Sequence, residues 1–322
     1  LRRQRQMCIR DSAEAFSPGG VGNIGVGFDL LGHTIHGPGD RAIVQRVPAV
    51  GVRITGVHGD AHGASALPLD ATRNTAGRAL LSLLEATGAA HGFELELHKG
   101  IALGSGLGGS AASAVAAVVA GNALLQAPLP RMALYPHALA GEAVATDSVQ
   151  GDNVGPMLTG GIALATPDRL LRLDAPELWC AVVHPHFVLE TRHARAVLAQ
   201  PYPLAQVVRH GTHLALFLTG LARGDHELIA AGLQDILVEP RRAPLVPGFA
   251  AVKAAAMDHG ALGASLSGAG PSVFGWFATR DHAARALQAM RGAFADAGLD
   301  SEGWVGPVNG PRAELVRSWT GG

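Results

Sequence analysis

Cysteine, charge and long apolar runs are all scarce in this 322-residue chain. The two cysteines, Cys8 and Cys180, supply neither a disulfide framework nor a zinc-binding spacing, which points to a reducing, cytoplasmic setting. Charged residues make up only 16% and the formal net charge is −1. No basic field exists to hold a nucleic-acid backbone or an anionic membrane surface, so neither is expected as a partner. The most apolar stretch, Ala111 to Leu125, contains Ser113, Gly121 and Asn122 and falls short of the ~20 residues a spanning helix needs. Residues 1–12 carry Arg2, Arg3, Arg5 and Arg10 without an apolar run, which excludes a secretory signal. A short transit peptide would fit them, but they read rather as a non-native extension ahead of a start near Ala13 or Glu14.

What the chain does have is apolar residues, 48%, and 43 glycines. The first suits a well-buried core, and the length suits two domains. The glycines concentrate chemistry. Residues 104–113 read GSGLGGSAAS, after an alternating stretch (Phe93, Leu95, Leu97) and before an alanine- and valine-rich run. This is strand, glycine loop, helix, and its amides and helix N-terminus can converge on a phosphate. Gly104-x-Gly106-x-x-Gly109 also fits the dinucleotide fingerprint, but so does Gly20-x-Gly22-x-x-Gly25, and no acidic residue follows at the required distance. A Walker loop needs a lysine that is absent from these residues. A plain helix start capped by Ser110 is the simplest alternative.

Along the chain, Glu14 to Ser17 opens a strand, and residues 41–58 alternate as antiparallel strands would. Helical spacing marks 74–87, closed by Gly88, then 110–126 and 131–145. Leu178 to Val188 is an apolar strand. Helices are predicted over 192–199, 205–223, 225–238, 249–259 and 281–297, with strands at 264–266 and 272–277. Strands and helices mix without strict alternation, which predicts an α+β chain. The domain boundary is placed between residues 13–168 and 169–322.

Three glycine-rich segments occur in order: SPGGVGNIGVGFDLLG (17–32), GLGGSAA (106–112) and GASLSGAGPS (263–272). With Gly151-Asp-Asn-Val154 and Glu239-Pro-Arg-Arg242 between them, they resemble the GHMP kinases, and among these the branch that acts on L-homoserine. The resemblance spans residues 14–316. It implies an N-terminal domain with a left-handed βαβ phosphate-loop unit, a ferredoxin-like C-terminal domain and a homodimer. It also implies transfer of the γ-phosphoryl group of ATP, with Mg2+, to the side-chain hydroxyl of L-homoserine, on the route to threonine.

A zwitterion with a hydroxyl tail needs a cation for its carboxylate and an anion for its ammonium. Arg195 and Arg242 can donate in bidentate fashion to the carboxylate, with Arg241 the neighbour that could be confused with Arg242. Asp29 suits the ammonium, although an aspartate there could also serve local backbone amides. Asn23 and Asn153 can donate and accept. By family position, Thr191 lies near the hydroxyl end and Gly268 and Gly270 close over the site. The phosphates are expected on Gly104, Ser105, Gly106, Leu107, Gly108, Gly109 and Ser110, the adenine near Asn74 unless that residue only caps a helix, and the metal on Ser110 and Glu142.

Mevalonate kinase carries an aspartate where this chain has Asn153, and an amide takes no proton at neutral pH. Alignment and charge neutralisation are therefore expected to carry the rate, with Asp152 the residue whose role tests that view. The homoserine branch commonly reads P-A-S/T-S-A-N where this chain has Pro18-Gly-Gly-Val-Gly-Asn23, has histidine where Gln150 stands, and has two serines where Gly109-Ser110 stands. The same fold could also serve another small alcohol or a nucleotide sensor without turnover.

Overall fold

The computed structural model describes residues 11–59, 66–146 and 150–320. Of the segment read as an extension, residues 1–10 lie outside these, while Ser12 already pairs with Gln45 and Trp319.

Strands β1 (Ser12–Gly22), β2 (Leu31–Val47), β3 (Val52–His58), β4 (Gly92–His98), β5 (Ile162–Ala165) and β6 (Leu170–Leu173) belong to a first sheet. A second, antiparallel sheet runs β10-β7-β9-β8, from β7 (Trp179–Pro185), β8 (Gly263–Leu266), β9 (Val273–Phe277) and β10 (Ser301–Pro307). The last strand, β11 (Glu314–Trp319), returns to the first sheet and covers the edge of β1. Strands β6 and β11 both follow residue 168, so the first sheet draws on chain from either side of the expected boundary.

Helix α1 (Thr75–Thr87) starts where Asn74 accepts from the amides of Ala76 and Gly77, and stops at Gly88 with φ +59°. Its buried face, including Leu80, Leu83 and Leu84, packs on α2 (Gly109–Ala123) and α3 (Tyr135–Thr146). Helix α2 is buried continuously from Ala111 to Gly121 and lies on β1 and β2. A helix apolar on every side is at home only inside. Its N-terminus, with the glycine loop, is thereby anchored at the centre of the molecule. The short α4 (Val154–Thr159), α5 (Thr191–Ala196) and α8 (Glu239–Arg242) border the cleft between the sheets. The remaining helices are α6 (Leu204–Arg223), α7 (His226–Gly232), α9 (Phe249–Asp258) and α10 (Arg280–Asp296). Helices α9 and α10 back the second sheet, burying Val252, Ala256, Met290 and Phe294 with Val273 and Phe277.

Two expectations are corrected. Residues 52–58 pair parallel with β4, not antiparallel with their neighbour in sequence, because α1 carries the chain back as a βαβ crossover. The helix predicted over 225–238 ends at Gly232. There Asp235 takes the amides of Leu237, Val238 and Glu239 on its carboxylate, competing with helical pairing and launching α8 instead.

One contact ties the sheets together. Trp276 on β9 donates its indole N–H to His33 Nε2 on β2 at 3.1 Å, and His33 Nδ1 lies 2.9 Å from the Thr34 carbonyl. Both rings are fully buried, and burial pushes the His33 imidazole down to about 4, so it stays neutral.

Candidate active site

Between the sheets lies a cavity of roughly 240 Å3, whose walls come from six separated stretches of chain. The phosphate-loop wall is made by backbone. Gly104, Gly106 and Gly108 have φ of +67°, +79° and +70°. A Cβ on Gly106 would stand 2.4 Å from the Ser267 carbonyl oxygen, and one on Gly108 2.6 Å from Asn153 Oδ1. Glycine is required at both by conformation and by space. The loop root is fixed from below. Lys99 forms a fully buried ion pair with Asp40 and also donates to the Gly109 carbonyl (2.8 Å) and Ser113 Oγ (2.9 Å). Asp40 accepts the amides of Gly100 and Ile101 and the Ser113 hydroxyl. This staple was missed from sequence, yet one signal was available: Lys99 is one of two lysines in the chain, and it sits directly before the loop. From the second sheet, Ser272 gives its hydroxyl and its amide to the Ser105 carbonyl, at 2.7 and 3.2 Å.

Gly104, Ser105, Gly106, Gly108, Gly109 and Ser110 all line the cavity. Leu107 does not. Its side chain is in the core and its carbonyl accepts the Gly20 amide. Asn74 is likewise absent from the lining: it is 4% exposed, its amide oxygen caps α1, and its Nδ2 donates to the Pro68 carbonyl. The helix start claims its hydrogen-bonding groups, so the structure supports the capping alternative for this residue.

Ser110 Oγ, in the first turn of α2, donates to Glu142 Oε1 on α3 at 2.9 Å. Burial pushes the Glu142 carboxyl up to about 8, with the Ser110 hydrogen bond opposing the shift. These are two hard oxygen donors in a place where a carboxylate is unfavourable without a cation, a setting that fits Mg2+ completed by phosphate oxygens.

At the other end, Asn23 bridges two glycine motifs. Its Nδ2 donates to the Gly268 carbonyl at 2.9 Å, and its Oδ1 accepts the Asp29 amide at 3.0 Å. Asn23 and Asp29 both occupy the left-handed region, at φ +69° and +59°, which asparagine and aspartate tolerate better than other residues with a side chain. Arg195 on α5 pairs with Asp29 at 3.1 Å. Arg242 on α8 is 2% exposed and donates to the carbonyls of Ala194 (2.9 Å) and Gly268 (3.0 Å). Burial and the nearby Arg195 charge lower its pKa from the usual guanidinium value. Its neighbour Arg241 points elsewhere, stacking on Tyr202 and holding the carbonyls of Leu198, Gln200 and Pro201. Of the two arginines, Arg242 lines the cavity and Arg241 does not.

Asp152, Asn153, Gln150 and Thr191 complete the lining. Burial, then the Asp29 charge, push the Asp152 carboxyl up to about 7, against backbone amides that include that of Asn23. Asn153 Oδ1 is buried with no hydrogen-bond partner among the described residues. A buried acceptor left unpaired is costly unless a ligand supplies the donor.

The fold, with a glycine cradle between two α+β units, defines a class. The family models for the GHMP kinases N terminal domain and the GHMP kinases C terminal match residues 74–161 and 217–296. The chain is 56% identical over 305 residues to the homoserine kinase of Xanthomonas campestris pv. campestris, covering 94% of each. It is 52% identical, at the same coverage, to that of Xylella fastidiosa. A crystal structure of homoserine kinase from Cytophaga hutchinsonii superposes with a TM-score of 0.90 at 38% identity, covering 98% of this chain and 100% of that one. The L. major mevalonate kinase shares the fold at 15% identity and a TM-score of 0.67, over 95% and 98% of the two chains. The chain belongs to the homoserine kinase family of the GHMP kinases and has their two-domain α+β fold. Among the described residues, no helix is long and apolar enough to cross a membrane.

Proposed function

We propose that the chain transfers the γ-phosphoryl group of ATP to the side-chain hydroxyl of L-homoserine, giving O-phospho-L-homoserine and ADP. The observation that carries this reading is a juxtaposition. One cavity holds a backbone cradle for phosphates at one end, and Asp29, Arg195 and Arg242 at the other, the charge complement of an amino acid.

The amides of residues 104–110 and the α2 N-terminus take the phosphates. Ser110 and Glu142 would hold Mg2+, which would supply neutralisation of the charge on the transferring phosphate. The guanidinium of Arg242, fixed by two carbonyls, takes the substrate carboxylate, and Asp29 takes the ammonium. The unpaired Asn153 Oδ1 accepts from the substrate hydroxyl and so directs its oxygen lone pair toward the γ-phosphorus. The new P–O bond forms as the bond to the ADP oxygen breaks, and the hydroxyl proton leaves to a phosphate oxygen. Such a loose displacement asks more of alignment than of a base. Asp152→Asn tests this directly. Retained turnover with a weakened KM for homoserine makes Asp152 a binding group, whereas loss of kcat with binding intact makes it the base.

The deciding experiment is a coupled ADP-release assay with Mg-ATP and L-homoserine, mevalonate or galactose. Turnover on homoserine alone is expected. Galactose has no carboxylate for the arginines, and mevalonate has no ammonium for Asp29. Turnover confined to either of these would overturn the substrate assignment.

A further inference from the structure

The two side chains that would grip the ammonium and the carboxylate of the substrate grip each other. Arg195 Nη2 donates to both Asp29 carboxylate oxygens, at 3.1 and 3.2 Å, and Nη1 donates to one of them at 3.3 Å. The pair is about two-thirds withdrawn from water, with the side chains 35% and 29% exposed. Arg195 Nε is buried and has no acceptor among the described residues, so this guanidinium still has a donor to give. Asp29 is fixed by its backbone amide, held on Asn23 Oδ1, and by its left-handed conformation. Arg242 stands beside the pair, and the two guanidiniums lie 5.5 and 5.2 Å from the Phe28 ring centroid.

We infer that the Asp29–Arg195 ion pair is a latch opened by charge exchange, and that it sets the requirement for a zwitterion. The ammonium of the ligand replaces Arg195 at Asp29 as its carboxylate replaces Asp29 at Arg195, next to Arg242. This deepens the proposed function and rests on it. A ligand with a carboxylate alone must break the pair and strand Asp29 in a partly buried place. One with an ammonium alone strands Arg195. Removing one member of such a pair costs more than the pair itself contributes, because the survivor is left uncompensated. Only a ligand with both charges on one carbon restores both partners.

The test is a calorimetric titration of the full chain with L-homoserine, with 4-hydroxybutyrate (no ammonium) and with 3-amino-1-propanol (no carboxylate). Wild type, Asp29→Asn, Arg195→Gln and the double variant are compared. Asparagine suits the positive φ at position 29, so the first variant keeps its backbone. Asp29→Asn should tighten 4-hydroxybutyrate by about tenfold, the scale of releasing a partly buried pair, and the gain should vanish in the Arg195→Gln background. A gain that persists without Arg195 is plain repulsion by Asp29 and overturns the latch, as does no gain at all. Arg195→Gln with 3-amino-1-propanol runs the same cycle from the other side, with the gain lost in Asp29→Asn. Wild-type turnover of L-homoserine, measured in parallel, separates the two readings. If turnover is present and the cycles are flat, only the latch falls. If turnover is absent, the substrate assignment falls and takes the latch with it.

Discussion

The two ends of the cavity are made of different material. The phosphate end is backbone: glycines at positive φ, a helix N-terminus, and a buried Lys99–Asp40 staple beneath them. The amino-acid end is side chain: Asp29, Arg195 and Arg242, delivered by a turn and two short helices far apart in sequence. Backbone cradles leave no spare charge and have one geometry. Charged side chains find partners among themselves, as Arg195 and Asp29 do here. On the proposed reading the first end would be rigid and generic for phosphate, and the second adjustable and selective.

Breaking the backbone end should cost most. Gly106→Ala puts a methyl into the Ser267 carbonyl at positive φ. We expect kcat/KM to fall by about 10^2- to 10^3-fold with all substrates, the scale of misplacing a preorganised group. An unchanged rate would mean that the loop is free to move. Arg242→Ala removes the fixed cation at the other end and should raise KM for homoserine about 10^2-fold while leaving that for ATP within about twofold. Equal effects on both would abolish the contrast between the ends.

A smaller effect concerns protons. Because burial raises the Glu142 carboxyl to about 8, the ligand-free protein holds a proton there that the unfolded chain loses at ordinary carboxylate pKa. Ligand-free stability contributed by this group therefore falls as pH rises from the ordinary carboxylate range through about 8. If Glu142 holds the metal as proposed, binding of Mg-nucleotide would need the carboxylate, so affinity should rise with pH, by at most about tenfold per unit, and level off above about 8. Glu142→Gln should flatten that rise in a titration series across the same range. Asp152, shifted to about 7, leaves any residual slope.

The smallest effect sharpens the comparison at its edge. If Asn74 serves α1 alone, Asn74→Ala should lower stability by about 1 kcal/mol in denaturant unfolding, the usual worth of an N-cap. KM for ATP should stay within about twofold. A large rise in that KM would return Asn74 to the nucleotide.

The backbone end was the easier to read in the sequence. Clustered glycines between a strand and an apolar helix announce themselves locally, and of the loop residues named from sequence all but Leu107, whose side chain turns into the core, line the cavity. The charged end was found through the family likeness, and the sequence left Arg241 and Arg242 as rivals. The structure separates them because α8 turns Arg241 onto Tyr202 and Arg242 into the cavity. The strands β5, β6, β10 and β11 went unread, since short strands whose pairing partners lie far away carry little periodic signal.

The sequence by itself determined the local elements that close their own hydrogen bonds: α1 with its Asn74 and Gly88 ends, the buried helix α2, and the glycine loop between β4 and α2. Tertiary structure alone decided what depends on distant partners. It brought β3 alongside β4 through a crossover, joined His33 to Trp276 between the sheets, placed Lys99 on Asp40, and closed Arg195 onto Asp29. The physical reason is range. Helix caps and glycine turns are settled within a few residues of chain, whereas a buried charge or a sheet edge is stable only with a partner that folding must bring to it.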